Sequence, residues 1–183
     1  MQYDFIDVLL FFLIYGFLGF VLESVFRTIV NKNLTVSRGF LTNCFCPLYG
    51  FSAVVITQIF TLCEISIENK LITLLTATVA SMITVTFFEY ITGLVLDKVC
   101  NCKLWDYSQN PYNLHSYVCL EFSLLWGIVA IILSSFIHPL VEILVLSVQY
   151  NIKYFAICII SSALIVNSSY NMKKFYHIHD VNI

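Results

Sequence analysis

Three glutamates stand within or beside long apolar runs: Glu23, Glu89 and Glu121. In a bilayer an ionised carboxylate costs at least about 2.5–3.5 kcal/mol, so it faces protein or a water-filled cavity, where it can hold a proton, an ion or a small polar solute. Gly16, Gly19, Glu23 and Arg27 follow steps of three, four and four, which places them on one helical stripe. Glu23 and Arg27 can therefore pair along the helix and lower the cost of burying either charge. Further on, Thr78, Ser81, Glu89 and Thr92 fall within roughly 80° when each residue turns about 100°. A plainer alternative stays open: the glutamates are interfacial or paired with Arg27 and Arg38 and only hold helices in register. Glu121, a turn from the water boundary, could also snorkel.

A second group of reactive types lies between the apolar runs. Trp105-Asp106-Tyr107-Ser108 is followed by Asn110-Pro111-Tyr112-Asn113 and His115. It offers a carboxylate, an amide and a titratable ring for general acid or base work, or else an aromatic belt at a membrane boundary. Of the seven cysteines, Cys44, Cys46, Cys100 and Cys102 form two Cys-x-Cys pairs. They are weak zinc candidates, since structural sites usually space paired ligands by two to four residues. Cys63, Cys119 and Cys158 read as small packing residues. No His-Glu-x-x-His, Gly-x-Ser-x-Gly or phosphate-binding Gly-rich loop is present, so the chain carries no known ATPase or hydrolase motif and no cofactor is expected.

The elements that must position these residues follow from composition. Of 183 residues, 60% are hydrophobic and 11% charged, with a mean hydropathy of +0.88. Soluble domains run nearer 45–50% apolar and about 25% charged. The excess runs the length of the chain, which implies one integral membrane domain over 1–183 rather than an anchor on a soluble body. A spanning helix needs about 20 apolar residues. The runs at about 5–30, 47–65, 71–96, 118–137 and 152–170 satisfy this, and continuous rather than alternating apolarity excludes strands. The expected fold is an all-α polytopic membrane protein of five transmembrane helices. A short interfacial or re-entrant helix is expected over Pro139 to Tyr150, where Glu142 and Gln149 interrupt the apolar run.

Charge sets an orientation. With the N-terminus outside, Arg27, Lys32, Arg38, Lys98, Lys103, Lys173 and Lys174 lie at the inner face and only Lys70 and Lys153 outside, seven against two. The C-terminus is then cytoplasmic, and the loops from Asn31 to Cys46 and from Asp97 to Tyr117 share that side. The net charge of −2 and the absence of a basic run argue against nucleic acid.

Six ordered stretches carry a resemblance. They are Tyr15-Gly16 through Glu23-Ser24, Arg38-Gly39-Phe40-Leu41, Cys46-Pro47-Leu48-Tyr49-Gly50, Glu89-Tyr90-Ile91-Thr92-Gly93, Trp105-Asp106-Tyr107-Ser108, and Cys119-Leu120 through Trp126-Gly127. Together they resemble the bacterial ABC-transporter permease family labelled type IV or CmpB-like. The chain departs from it at Leu104, often a second tryptophan there, and at Asn43-Cys44-Phe45, where a Gly-Pro pair is usual. The resemblance implies a small multi-span protein of the bacterial cell membrane that would draw ATP hydrolysis from a separate subunit, or that assembles as a homo-oligomer.

The expected function is that of a permease-like transport subunit with a cytoplasm-side polar pocket for an ion, proton or small polar solute. Its binding residues are drawn from Glu23, Arg27, Arg38, Glu89, Trp105, Asp106, Tyr107, Asn113 and Glu121. Two alternatives remain: a membrane enzyme acting on a lipid-type substrate through Asp106, His115 or Cys46, and a non-catalytic regulator or assembly partner.

Overall fold

Asn69 shows how local chemistry starts a span: its side chain accepts hydrogen bonds from the backbone N–H groups of Leu71 and Ile72, at 3.0 and 3.2 Å, and caps the helix behind it. A computed structural model of the chain describes residues 3–32 and 43–180, with 30, 31 and 172–180 described by backbone alone. Its helices are α1 (Phe5–Asn31), α2 (Pro47–Ser66), α3 (Lys70–Cys100), α4 (Leu120–Ile132), α5 (His138–Ser147) and α6 (Tyr150–Asp180). Among the described residues, five stretches are long and apolar enough to cross a membrane: Phe5–Ile29, Pro47–Ser66, Lys70–Cys100, Leu120–Ser147 and Tyr150–Asn171. The chain is thus an all-α, multi-pass membrane protein. The regular β structure of the described residues is a two-residue hairpin, Asn113–Leu114 against Val118–Cys119.

The short helix expected after the fourth span is present as α5, but it continues that span. Pro139 has no N–H to offer the carbonyl four residues back, and its ring crowds that carbonyl. The chain answers with a π segment over Leu133–Ile137, in which His138 N–H reaches the Leu133 carbonyl. Ser134 Oγ adds a bond to the Ala130 carbonyl at 2.9 Å. The extra residue per turn absorbs the defect, and the apolar run proceeds to Ser147.

The chain divides into two compact units. The first comprises residues 1–50 and 144–183. Within it α1 and α6 are tied near their starts, and the segment before α2 is tied to α6 farther along. Near their starts Lys153 Nζ meets Asp7 Oδ1 at 2.6 Å, with both side chains about nine-tenths buried. In the segment that leads into α2, Asn43 N–H donates to Asn167 Oδ1 at 3.0 Å, and Asn171 Nδ2 donates to Asn43 Oδ1 at 3.1 Å. The segment entering α2 lies against the glycine stripe of α1. The Cys46 N–H bonds the Gly16 carbonyl at 3.0 Å, and a Cβ on Gly50 would stand 2.6 Å from the Phe12 carbonyl oxygen. Backbones come this close only where side chains are missing. By contrast only 6% of the α6 span is buried, against 33% of the α1 span, so most of α6 is left for lipid or another chain. Its Ser162 and Ser169 hydroxyls bond back to the carbonyls of Cys158 and Ile165 and present no unmet polarity.

The second unit, residues 51–143, is organised by α3 and α4. Thr73, Ala77, Ser81, Val85, Glu89 and Gly93 are the buried residues of α3, each four after the last. They form one i±4 ridge, the row that seats into a neighbour's groove. Small residues on that row, with Gly127 and Ala130 on α4, let the helices close together. The same row delivers Glu89 to the interior.

Candidate functional site

Glu89 is 6% exposed, and each of its carboxylate oxygens accepts one hydrogen bond from an uncharged donor. Tyr107 OH donates to Oε1 at 3.0 Å. Trp126 Nε1, from α4, donates to Oε2 at 3.0 Å. Among the described residues no lysine, arginine or histidine forms an ion pair with it. A carboxylate held by dipoles rather than by a counter-charge can accept a positive species without first breaking an ion pair.

The loop from Asn101 to Cys119 brings Tyr107 to α3. Asn101 ends α3 in the left-handed conformation with φ 48°. Trp105 Nε1 then donates to the Tyr117 carbonyl at 2.8 Å, and the Tyr107 N–H donates to the Ser116 carbonyl at 2.9 Å. The Tyr107 ring stacks on Phe122 with centroids 4.8 Å apart. Gly93, one turn beyond Glu89, leaves the space that Tyr117 and Trp105 occupy: a Cβ there would sit 3.2 Å from Tyr117 Cβ and 3.4 Å from Trp105 Cζ2. The hairpin turn places His115 and Ser116 at positive φ, 51° and 63°, as does Tyr112 at 53°. Each non-glycine residue there costs roughly 1–2 kcal/mol. Asn113 Oδ1 accepts from the Ser116 N–H at 3.2 Å and helps to hold the turn.

The other expected site residues divide by what they touch. Arg27 Nη2 pairs with Glu23 Oε1 at 2.7 Å, as the spacing along α1 predicts. Asp106 accepts from the Ser108 N–H at 2.9 Å and meets Lys103 Nζ at 3.3 Å. The Ser108 backbone N–H, then its hydroxyl, then Lys103 hold this exposed carboxyl below the usual carboxylate range. Asn113 Nδ2 donates to the Asn110 carbonyl at 2.8 Å, and Asn110 Nδ2 donates to Glu121 Oε2 at 3.4 Å. Trp105, Asp106, Asn113 and Glu121 thus brace the loop, and Tyr107 alone of them bonds Glu89. Arg38 lies outside the described residues.

The cysteines offer little chemistry. Burial, with the Glu23 carboxylate adding to it, pushes the Cys46 thiol up to about 11, which leaves it protonated at neutral pH. No three His, Cys, Asp or Glu side chains among the described residues are grouped to hold a metal. Tyr117, whose hydroxyl donates to Asp97 Oδ2 at 2.6 Å, has its phenol pushed up by that bond.

Sequence reasoning did not find Trp126, although Trp126-Gly127 falls within a motif, nor the Asp7–Lys153 pair. The available signal for the pair was positional: opposite charges in the first turn of two spans that run the same way in a five-span chain.

The family described as Putative ABC-transporter type IV matches the chain over residues 10–172. No curated protein and no solved structure matches it.

Proposed function

The chain belongs to the ABC-transporter type IV family, and from that premise we propose that it is a membrane-spanning transport subunit in which Glu89 binds a small cationic species. One observation carries this reading: a carboxylate buried within a span and held only by Tyr107 and Trp126 among the donors that reach it. A purely structural carboxylate at that depth gains most from an opposite charge, and the same chain supplies one to Asp7 and to Glu23. Glu89 lacks one, as suits a group that is loaded and unloaded.

In this proposal a separate ATPase subunit supplies ATP hydrolysis, the N-terminus faces outside, and Tyr107 lies toward the cytoplasm. The orientation rests on the seven-to-two distribution of lysine and arginine. Membrane-impermeant thiol reagents should label Cys44, which is exposed, only from the cytoplasmic side; labelling from outside in intact cells overturns the orientation.

The test of function uses ATP-energised inverted vesicles from cells overproducing the chain. A flux of one such species, proton or alkali cation, above that of control vesicles is expected, with at least a tenfold loss in Glu89→Gln. An unchanged flux in that variant removes Glu89 from the function.

A further inference from the structure

We infer that the species taken up by Glu89 is a proton, that it lands on Oε1 rather than Oε2, and that it arrives through the Tyr107 hydroxyl. This deepens the reading above, on which it rests only for calling the exchange a transport step.

The two donors on Glu89 are not chemically equivalent. An indole N–H donates and has no lone pair in the ring plane to accept, whereas a phenol hydroxyl does both. Protonating Oε2 would leave the Trp126 N–H, 3.0 Å away, a hydroxyl oxygen as its acceptor, which is poorer than a carbonyl oxygen. Protonating Oε1 sets the carboxyl O–H against Tyr107 oxygen, also at 3.0 Å, which accepts once the hydroxyl turns about its C–O bond. Stacking on Phe122 holds the phenol ring but leaves that torsion to the hydroxyl. Trp126 therefore keeps its bond to Oε2 in both states, which makes Oε2 the carbonyl oxygen of the protonated acid, and Tyr107 serves as the two-way partner.

The transfer balances without a further reactant. A hydronium ion at the loop gives a proton to the Tyr107 oxygen as the phenol's own proton passes to Glu89 Oε1. One O–H bond breaks and one forms at Tyr107, a new O–H bond forms at Glu89, and a water molecule is left. The carboxylate loses its charge and the phenol ends as it began.

A metal cation fits this cage poorly. Cation sites are built from several oxygen lone pairs, and here both carboxylate oxygens have donor hydrogens aimed at them, one from a nitrogen that cannot ligate. Nor do neighbouring charges complete a site. On the loop Lys103 is engaged by Asp106 and Ser116, and His115 meets Tyr90 at 3.0 Å. On α3 Asp97 accepts from Tyr117, and on α4 Glu121 accepts from Asn110.

The test is an infrared pH titration of the full-length chain in liposomes without ATP. A carboxylic C=O band should appear as Glu89 takes its proton and should be missing from Glu89→Gln. Because Oε2 is the carbonyl oxygen, Trp126→Phe should move that band to higher frequency, and Tyr107→Phe should move it much less. The reverse order, or no wild-type band that Glu89→Gln removes, overturns the inference. At fixed pH, sodium, potassium and magnesium should leave the Glu89 bands in place, and a cation-dependent shift overturns it too. If Trp126→Phe does not fold, a 15N-labelled wild-type indole reads the same bond: its N–H should stay hydrogen-bonded on both sides of the titration, and loss of that bond refutes the assignment. A titrating band with no vesicle flux sinks the transport reading and leaves this one standing. Flux with a band that follows cations rather than pH does the opposite.

Discussion

In the unit built on α1 and α6, the two carboxylates at membrane depth each have a cation: Asp7 has Lys153 and Glu23 has Arg27. In the unit built on α3 and α4, Glu89 has a phenol and an indole. All three solutions satisfy hydrogen bonding, but they respond differently to added charge. An ion pair is already neutral and gains nothing from a proton, whereas a dipole-held carboxylate changes its net charge when it takes one. Charge thus ties α1 to α6 through Asp7 and Lys153 in the first unit, whereas Glu89 in the second has no counter-charge among the described residues.

The sharpest way to break this comparison is to remove one member of the buried pair. Asp7→Ala or Lys153→Ala should each cost about 3–5 kcal/mol, because the partner is left buried and uncompensated. Joint replacement of the pair by leucine and methionine should recover most of the loss. Reversible denaturation in mixed micelles measures both; single variants as stable as wild type would mean that the pair locks nothing.

Next in size is Gly50→Ala, which forces a methyl against the Phe12 carbonyl and should cost about 1–3 kcal/mol. On α4, Gly127→Ala meets Thr78 Cγ2 at 3.5 Å, an ordinary contact, and should stay within about 0.5 kcal/mol of wild type. Similar losses at both glycines would erase the difference between the tight and the looser crossing. Removing Arg27, whose side chain is 41% exposed, leaves Glu23 without its counter-charge and should cost less than breaking the buried pair.

The smallest effect expected is a pH dependence at the loop. Asp106 has its carboxyl depressed chiefly by Ser108, so its contribution is present above the ordinary carboxylate pKa and is lost as pH falls through the depressed value. The stability gap between wild type and Asp106→Asn should therefore narrow on acidification and stay constant from neutral pH upward. A gap that widens in acid contradicts the assignment.

The spans were legible because apolar run length is a one-dimensional property, and Glu89 was legible because a charge inside such a run is conspicuous. Its partners were not. Tyr107 lies 18 residues away and Trp126 37 residues away, and what brings them together is a loop whose turns use left-handed Tyr112, His115 and Ser116 rather than glycine. Tyrosine and serine normally avoid that conformation and give no warning of it. The Glu23–Arg27 pair was legible for the opposite reason, since helical periodicity alone puts the two on one face. Glu142 and Gln149 misled on length: polar residues in an apolar run read as a break after the fourth span, and the π segment that carries the helix through has no sequence signature.

The lock on the first unit also has a schedule. Asp7 and Lys153 are 146 residues apart, so at a synthesis rate of about 5–20 residues per second the aspartate is made roughly 7–30 s before its partner. For that interval the nascent first helix carries an unmatched acid, which favours a shallow position near the headgroups. Arrival of the last helix removes the reason to stay there. A product that stops before Lys153 keeps that acid unmatched.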